Sequence, residues 1–116
     1  MEKPFSPACE RNQNSILAAI EPVLKNTKNI LEIGSGTGQH AVHFSKNMSW
    51  INWQCSDVGG NISGIRLWID EANLKNLLPP FELDVSVDTI NQKYDAIYSC
   101  NTLHIMSKQQ VQDFFN

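Results

Sequence analysis

Apolar positions along the chain fall into two alternating rhythms. From Pro7 to Leu24, Ile16, Leu17, Ile20, Val23 and Leu24 recur at helical spacing behind polar Arg11, Asn12, Gln13 and Asn14, which predicts a first helix, bent or restarted at Pro22. Ile30-Leu31-Glu32-Ile33 is short, branched and closed by glycine, as a buried parallel strand should be. Gly34-Ser35-Gly36-Thr37-Gly38 leads from it into a helix over Gln39–Lys46, with Ala41, Val42 and Phe44 facing inward. A second strand is expected from Trp50 to Cys55, stopping at Asp57. A helix capped by Asn61 or Ser63 should then run to about Asn73, with Ile62, Ile65, Trp68, Ile69 and Ala72 on its inner side. Pro79-Pro80 ends the following loop in this pattern, Phe81–Val85 makes a third strand and Tyr94–Cys100 a fourth. Ser107 and Gln110 have the spacing of a capping box ahead of Val111, Phe114 and Phe115.

This alternation of helix and strand gives a parallel sheet covered on both faces, so the expected class is α/β, doubly wound. The 116 residues make a single domain, with the N-terminal helix over about 7–25 and the core over about 29–116. Composition narrows the partners. No apolar run approaches the roughly 18 residues a membrane span requires. No apolar stretch follows Met1-Glu2-Lys3-Pro4, so no secretory signal is expected and the location is read as cytoplasmic, without a membrane partner. The net charge is −3, with nine Lys and Arg spread singly against twelve Asp and Glu. Without a basic field, a long nucleic acid is not an expected partner. Cys9, Cys55 and Cys100 fit neither a zinc site nor a C-x-x-C pair and are read as reduced thiols, at least two of them small core residues.

The glycine turn carries the chemistry. A strand ending in glycines lets the backbone turn tightly and approach a ligand that a Cβ would push away, and the following helix aims free N–H groups at that ligand. Asp57 follows Gly38 at close to the ~20-residue separation at which an acid accepts ribose hydroxyls. Gly34, Asp57, Asp84 and Asn101 all lie at expected carboxyl ends of strands, where doubly wound sheets hold ligands. A P-loop needs Lys followed by Ser or Thr after its last glycine, and Gln39-His40 stands there instead. A dinucleotide fingerprint fits only from Gly36, two residues after Gly34 has already ended the strand. The remaining pattern, acid-x-Gly-x-Gly-x-Gly, is met in full by Glu32, Gly34, Gly36 and Gly38.

That segment resembles motif I of the class I methyltransferases dependent on S-adenosylmethionine (SAM). Ser6-Pro7-Ala8-Cys9-Glu10-Arg11-Asn12, Gly36-Thr37-Gly38-Gln39-His40-Ala41-x-His43-Phe44, Trp53-Gln54-x-Ser56-Asp57 and Asn101-x-x-His104-Ile105 are similar to a small group named methyltransferase-like protein 26 and its bacterial relatives. The matches occur in order from residue 6 to about 115. The resemblance implies a Rossmann-like doubly wound parallel sheet of the class I methyltransferase type, lacking the C-terminal strands. It also implies SAM as cofactor and direct methyl transfer to a small-molecule acceptor. Gly34 and Gly36, with the backbone around them at Ser35 and Gly38, would pass beneath the methionine and ribose, while Glu32 supports the turn and the amino group. Asp57 would accept from both ribose hydroxyls, Asp84 from the adenine amino group, and Val85 would donate its N–H to the ring. Asn101 stands where a backbone carbonyl meets the methionine amino group, and Arg11 could clamp the methionine carboxylate bidentately.

Several residues admit two roles. His104 is either a general base near the acceptor or a loop hydrogen-bonding group, and methyl transfer from a sulfonium needs chiefly alignment and exclusion of water. His40 and His43 share the spacing of a metal pair but lack a third ligand, so no metal is expected, and His40 can instead line the cofactor pocket. Trp50, Trp53 and Trp68 are read as core or edge packing. Two other function classes stand beside methyl transfer. One is a module that holds SAM or its demethylated product without catalysis. The other is a nicotinamide-dependent oxidoreductase, which the glycine register disfavours. Because the class I pattern continues with three more strands, the chain is expected to be the first portion of a larger domain. Its fourth strand would then be an unpaired edge that favours self-association.

Overall fold

The computed structural model describes residues 2–84, 92–99 and 104–106, the last three as backbone strand only. Ser6 caps helix α1 (Pro7–Leu24): its hydroxyl accepts the Cys9 N–H at 3.3 Å, and Pro7 sits in the first turn, where a missing N–H costs nothing. The helix continues through Pro22 without restarting. Its buried stripe is Ile20 and Leu24, with Ile16 and Leu17 packed partly against the core. Val23, expected inward, faces solvent at 59% exposure, since the 3.6-residue period that buries Ile20 and Leu24 turns it away.

The remaining elements are β1 (Asn29–Ile33), α2 (Gln39–Asn47), β2 (Asn52–Asp57), α3 (Gly59–Ala72), β3 (Leu77–Glu82), β4 (Ala96–Ser99) and β5 (His104–Met106). They form one sheet in the order β3-β2-β1-β4-β5. The first four strands are parallel, and Glu32 in the middle of β1 stands beside Cys55 on one side and Tyr98 on the other. Strand order reverses around β1, which puts the ligand crevice of a doubly wound sheet at its carboxyl end. Alternation along β1 divides the core. Ile30 joins Trp53, Cys55, Tyr98 and the inner residues of α1, α2 and α3, whereas Leu31 packs with Leu83, Tyr94 and Ile97 on the opposite face. On the helix-covered side, Phe44 meets the rings of Trp53 and Tyr98 edge to face, each at 5.6 Å between centroids.

Three expectations are corrected. Helix α3 starts at Gly59, ahead of the proposed caps Asn61 and Ser63. The chain turns straight from β2 into it because the Asp57 carboxylate holds the Val58 N–H, and the Asn61 N–H already bonds the Val58 carbonyl at 3.0 Å. Pro79 and Pro80 lie inside β3 and do not end a loop. They are tolerated because β3 is an edge strand whose pairing is irregular between Gln54 and Ser56, and the Gln54 amide donates to the Pro79 carbonyl at 2.7 Å. Finally, β4 is not an unpaired edge: β5 lies antiparallel along it, with His104 opposite Ser99. A connection as short as residues 100–103 permits an antiparallel return, whereas a parallel crossover needs about a dozen residues. The helix expected over Ser107–Phe115, and Val85, Cys100 and Asn101, lie outside the described residues. No helix among the described residues is long and apolar enough to cross a membrane.

Candidate cofactor site

All three glycines of the turn have left-handed backbone: φ is 74° at Gly34, 63° at Gly36 and 96° at Gly38. L side chains rarely adopt these angles, which explains why the turn reads Gly-x-Gly-x-Gly. The two positions downstream differ in surroundings. A Cβ at Gly38 would stand 3.2 Å from Trp68 Cβ and 3.3 Å from Ile65 Cα, so that glycine lets α2 pack against α3. A Cβ at Gly36 would have no atom within 4 Å, so that glycine faces open space.

Strand β2 holds the turn in place. The Ser56 carbonyl accepts both the Gly34 N–H at 3.0 Å and the Ser35 N–H at 2.9 Å. The Ser35 hydroxyl accepts the Ser56 N–H at 3.1 Å, and the Ser56 hydroxyl donates to the Glu32 carbonyl. Asp57, the last residue of β2, uses one carboxylate oxygen for the Gly36 N–H at 2.8 Å and the other for the Val58 N–H at 2.7 Å. A carboxylate has about four acceptor sites, so two such bonds leave capacity for further donors. At the other end of the turn, the Thr37 hydroxyl accepts the Gln39 N–H at 3.2 Å, supplying α2 with the cap that Gly38 lacks.

Glu32 is completely buried below the turn. One of its oxygens accepts the Trp53 indole N–H at 3.1 Å and the Cys55 thiol at 3.9 Å. Burial lifts its carboxyl from the ordinary value to about 7; Asp57 pushes the same way, and the hydrogen bonds from Ser35, Trp53 and Cys55 oppose the rise. Burial, with the charge of Glu32 beside it, also raises the Cys55 thiol well above its usual range.

The structure brings the turn, Asp57 and Asp84 to neighbouring strand ends. Asp84 is exposed and follows Leu83, whose N–H bonds the Asp57 carbonyl at 2.9 Å. His104 stands by register at the same end of the sheet, opposite Ser99. Arg11 is exposed on α1. His40 does not line the pocket: it is buried between helices, its Nε2 within 2.8 Å of Asn12 Oδ1 and its ring stacked on Phe44. Burial holds its pKa below the ordinary value. No group of three His, Cys, Asp or Glu among the described residues could hold a metal ion. Trp50 and Trp68 each donate an indole N–H to a backbone carbonyl, of Leu24 and Pro4 respectively, in keeping with packing roles.

Beside the turn lies an open cleft of about 580 Å³, within the range of small-molecule sites. Gly36 and Thr37 form one wall, Gly60, Asn61, Ser63 and Gly64 of α3 another, and Glu2, Pro4, Ser6 and Cys9 a third. Of the third wall, Ser6 and Cys9 lie in a segment that carries the family resemblance, whereas Glu2 and Pro4 had no signal in periodicity or motif spacing. That wall depends on contacts between segments more than thirty residues apart, such as the Trp68 indole on the Pro4 carbonyl.

The family described as "Protein of unknown function (DUF938)" matches residues 3–116. Among solved structures, the S-adenosylmethionine-dependent methyltransferase SibL in its apo form is similar with a TM-score of 0.74 and 20% identity, over 92% of this chain and 31% of that one. Coclaurine N-methyltransferase bound to N-methylheliamine and SAH is similar with a TM-score of 0.66 and 15% identity, over 85% of this chain and 29% of that one. The N,N-8-amino-8-demethyl-D-riboflavin dimethyltransferase of Streptomyces davawensis has a TM-score of 0.66 and 14% identity, over 78% of this chain and 26% of that one. The chain thus spans about a third or less of the length of each of these structures. At such identities the likeness establishes the fold, an α/β Rossmann-like sheet shared with methyltransferases.

Proposed function

The chain belongs to the DUF938 family, and from the geometry of its glycine turn we propose that it binds S-adenosylmethionine and serves methyl transfer to a small-molecule acceptor. One observation carries this reading: the Gly36 N–H is held by Asp57 at 2.8 Å while the space a Cβ would fill at Gly36 is open. Backbone free of side chains and an acid with spare acceptor capacity thus stand together at the strand-order reversal. A ribose diol suits that acid, and the methionine portion suits the bare backbone at Gly36. Asp84 is assigned to the adenine side. Val85, Asn101 and Arg11 keep the adenine, amino-group and carboxylate roles that the resemblance to methyltransferase-like protein 26 implies, and His104 that of a proton acceptor.

When bound, SAM supplies an activated methyl group on a sulfonium. The protein's share is then to align the acceptor and exclude water, and it needs no metal for that.

Titration of the purified chain with SAM and with NADH tests the cofactor assignment, SAM being expected to bind and NADH not. Binding of NADH alone would replace it with the oxidoreductase reading. An acceptor screen at saturating SAM, followed by release of S-adenosylhomocysteine, separates transfer from a module that only holds the cofactor.

A further inference from the structure

Gln39 is buried at the first position of α2, at 4% exposure, and none of the cofactor assignments uses it. Its amide oxygen accepts the Ser6 N–H and, at 2.9 Å, the Thr37 hydroxyl. Its amide nitrogen donates to the Ser6 carbonyl at 3.3 Å. One side chain therefore holds both backbone groups of Ser6, as a neighbouring strand would, and at the same time holds the glycine turn through Thr37.

The residues ahead of Ser6 are fastened to α3. The Trp68 indole donates to the Pro4 carbonyl at 2.6 Å, and the Lys3 ammonium lies 3.8 Å from the centroid of the Trp68 ring. Gly64 admits the proline, since a Cβ there would come within 2.8 Å of Pro4 Cγ. Lys3 also pairs with Glu71 at 2.8 Å, but that exposed pair contributes little. Residues 2–6 thus form a strap with two principal fastenings, Trp68 at one end and Gln39 at the other, and the strap is one wall of the cleft that Gly36 and Thr37 line.

We propose that this strap covers the SAM site and that Gln39 is the positioning residue coupling it to the glycine turn. With the strap seated, Gln39 holds Thr37, and with it the turn, in binding geometry. A ligand in the cleft in turn holds the strap down, because coupling between two sites is reciprocal. The proposal rests on the SAM assignment above. A segment with so few fastenings opens at low cost, so ligand contacts can shift its opening equilibrium.

The test combines hydrogen exchange over residues 2–12 with calorimetric titration of S-adenosylhomocysteine, using wild type, Gln39→Ala, Gln39→Glu and Trp68→Phe. Trp68 is not a wall of the cleft, and phenylalanine keeps its packing against Gly38 while removing the bond to Pro4. In wild type the ligand is expected to slow exchange at least about tenfold across the strap. Trp68→Phe should weaken binding by about threefold and Gln39→Ala by about tenfold, in line with one and several lost hydrogen bonds. Gln39→Glu keeps both accepted bonds but sets a carboxylate oxygen against the Ser6 carbonyl in a buried position, so it should weaken binding at least as much as Gln39→Ala; Trp68→Phe carries the test should neither Gln39 variant fold. Wild-type binding with unchanged strap exchange, or variants that bind as wild type does, would overturn the coupling and leave the SAM assignment standing. Absence of binding by wild type would overturn both.

Discussion

The carboxylate of Asp57 accepts the Gly36 N–H at 2.8 Å, so the acid ending β2 and the middle glycine of the turn after β1 are one unit. The second oxygen of Asp57 holds the Val58 N–H, leaving neither oxygen idle. Asp57→Asn keeps the shape but can accept on one side only, and its NH2 must then face an N–H. We expect a loss of about 0.5–1.5 kcal/mol in urea unfolding, the net worth of one hydrogen bond, because Gly36 and Val58 are exposed and water can reach the freed N–H. SAM affinity should fall at least about tenfold. An unchanged urea midpoint would mean that the Gly36 bond contributes nothing to the fold.

Gly36 and Gly38 should respond differently to alanine. At Gly36 the space is open and φ is 63°, so the cost is left-handed strain alone, about 1–2 kcal/mol. At Gly38 φ is 96°, further from what alanine tolerates, and the new Cβ would press on the Ile65 backbone, adding about 1–3 kcal/mol of overpacking. Thermal unfolding should therefore rank Gly38→Ala as the less stable variant. Binding should rank them the other way, because only the Gly36 methyl projects into the space assigned to the ligand.

Glu32 predicts a stability that falls as pH rises. Its carboxyl sits at about 7 in the folded protein against 4.5 for the ordinary group, so between those values the folded state binds the extra proton. Stability is then full below about 4.5 and declines through pH 7, by on the order of 3 kcal/mol at most. Glu32→Gln, which can still accept the Trp53 indole N–H, should abolish that decline. Urea midpoints measured from pH 5 to 8 for both proteins check this, and parallel curves would contradict it.

His40 works with the opposite sign. Its folded pKa lies below the ordinary 6.5, chiefly through burial, so the unfolded chain takes up a proton first as pH falls. Its contribution is full above 6.5 and is lost progressively at lower pH. The ring should remain neutral in NMR titration at a pH where a free histidine is half protonated. His40→Gln should lessen the acid-side loss.

Much of the frame was legible because β1, β2 and the glycine turn have signals that stay local: a branched run between turn residues, and glycines demanded by φ. Longer-range pairing was not. Pro79 and Pro80 look like loop residues, and only the irregular edge beside Gln54 makes them strand. The return of β5 along β4 rests on a ladder between short segments, which periodicity does not reveal. In the site, Asp57 and the glycines were visible as residue types that chemistry requires at strand ends. Gln39 was visible as a residue that broke the P-loop pattern and as a member of a segment carrying the family resemblance, but its coupling role was not, since its bonds reach Ser6 across 33 positions. His40 was drawn toward the pocket by its place at the helix start, whereas packing against Asn12 and Phe44 decided otherwise.

The central claim is that Asp57 and the glycine turn form a SAM site, and parallel calorimetric titrations of SAM into wild type and Asp57→Ala test it most directly. Saturable binding by wild type, weakened by about a hundredfold or more in the variant through loss of a charged hydrogen-bonding partner, is the expected result. No binding by wild type, or equal binding by the two proteins, would contradict it.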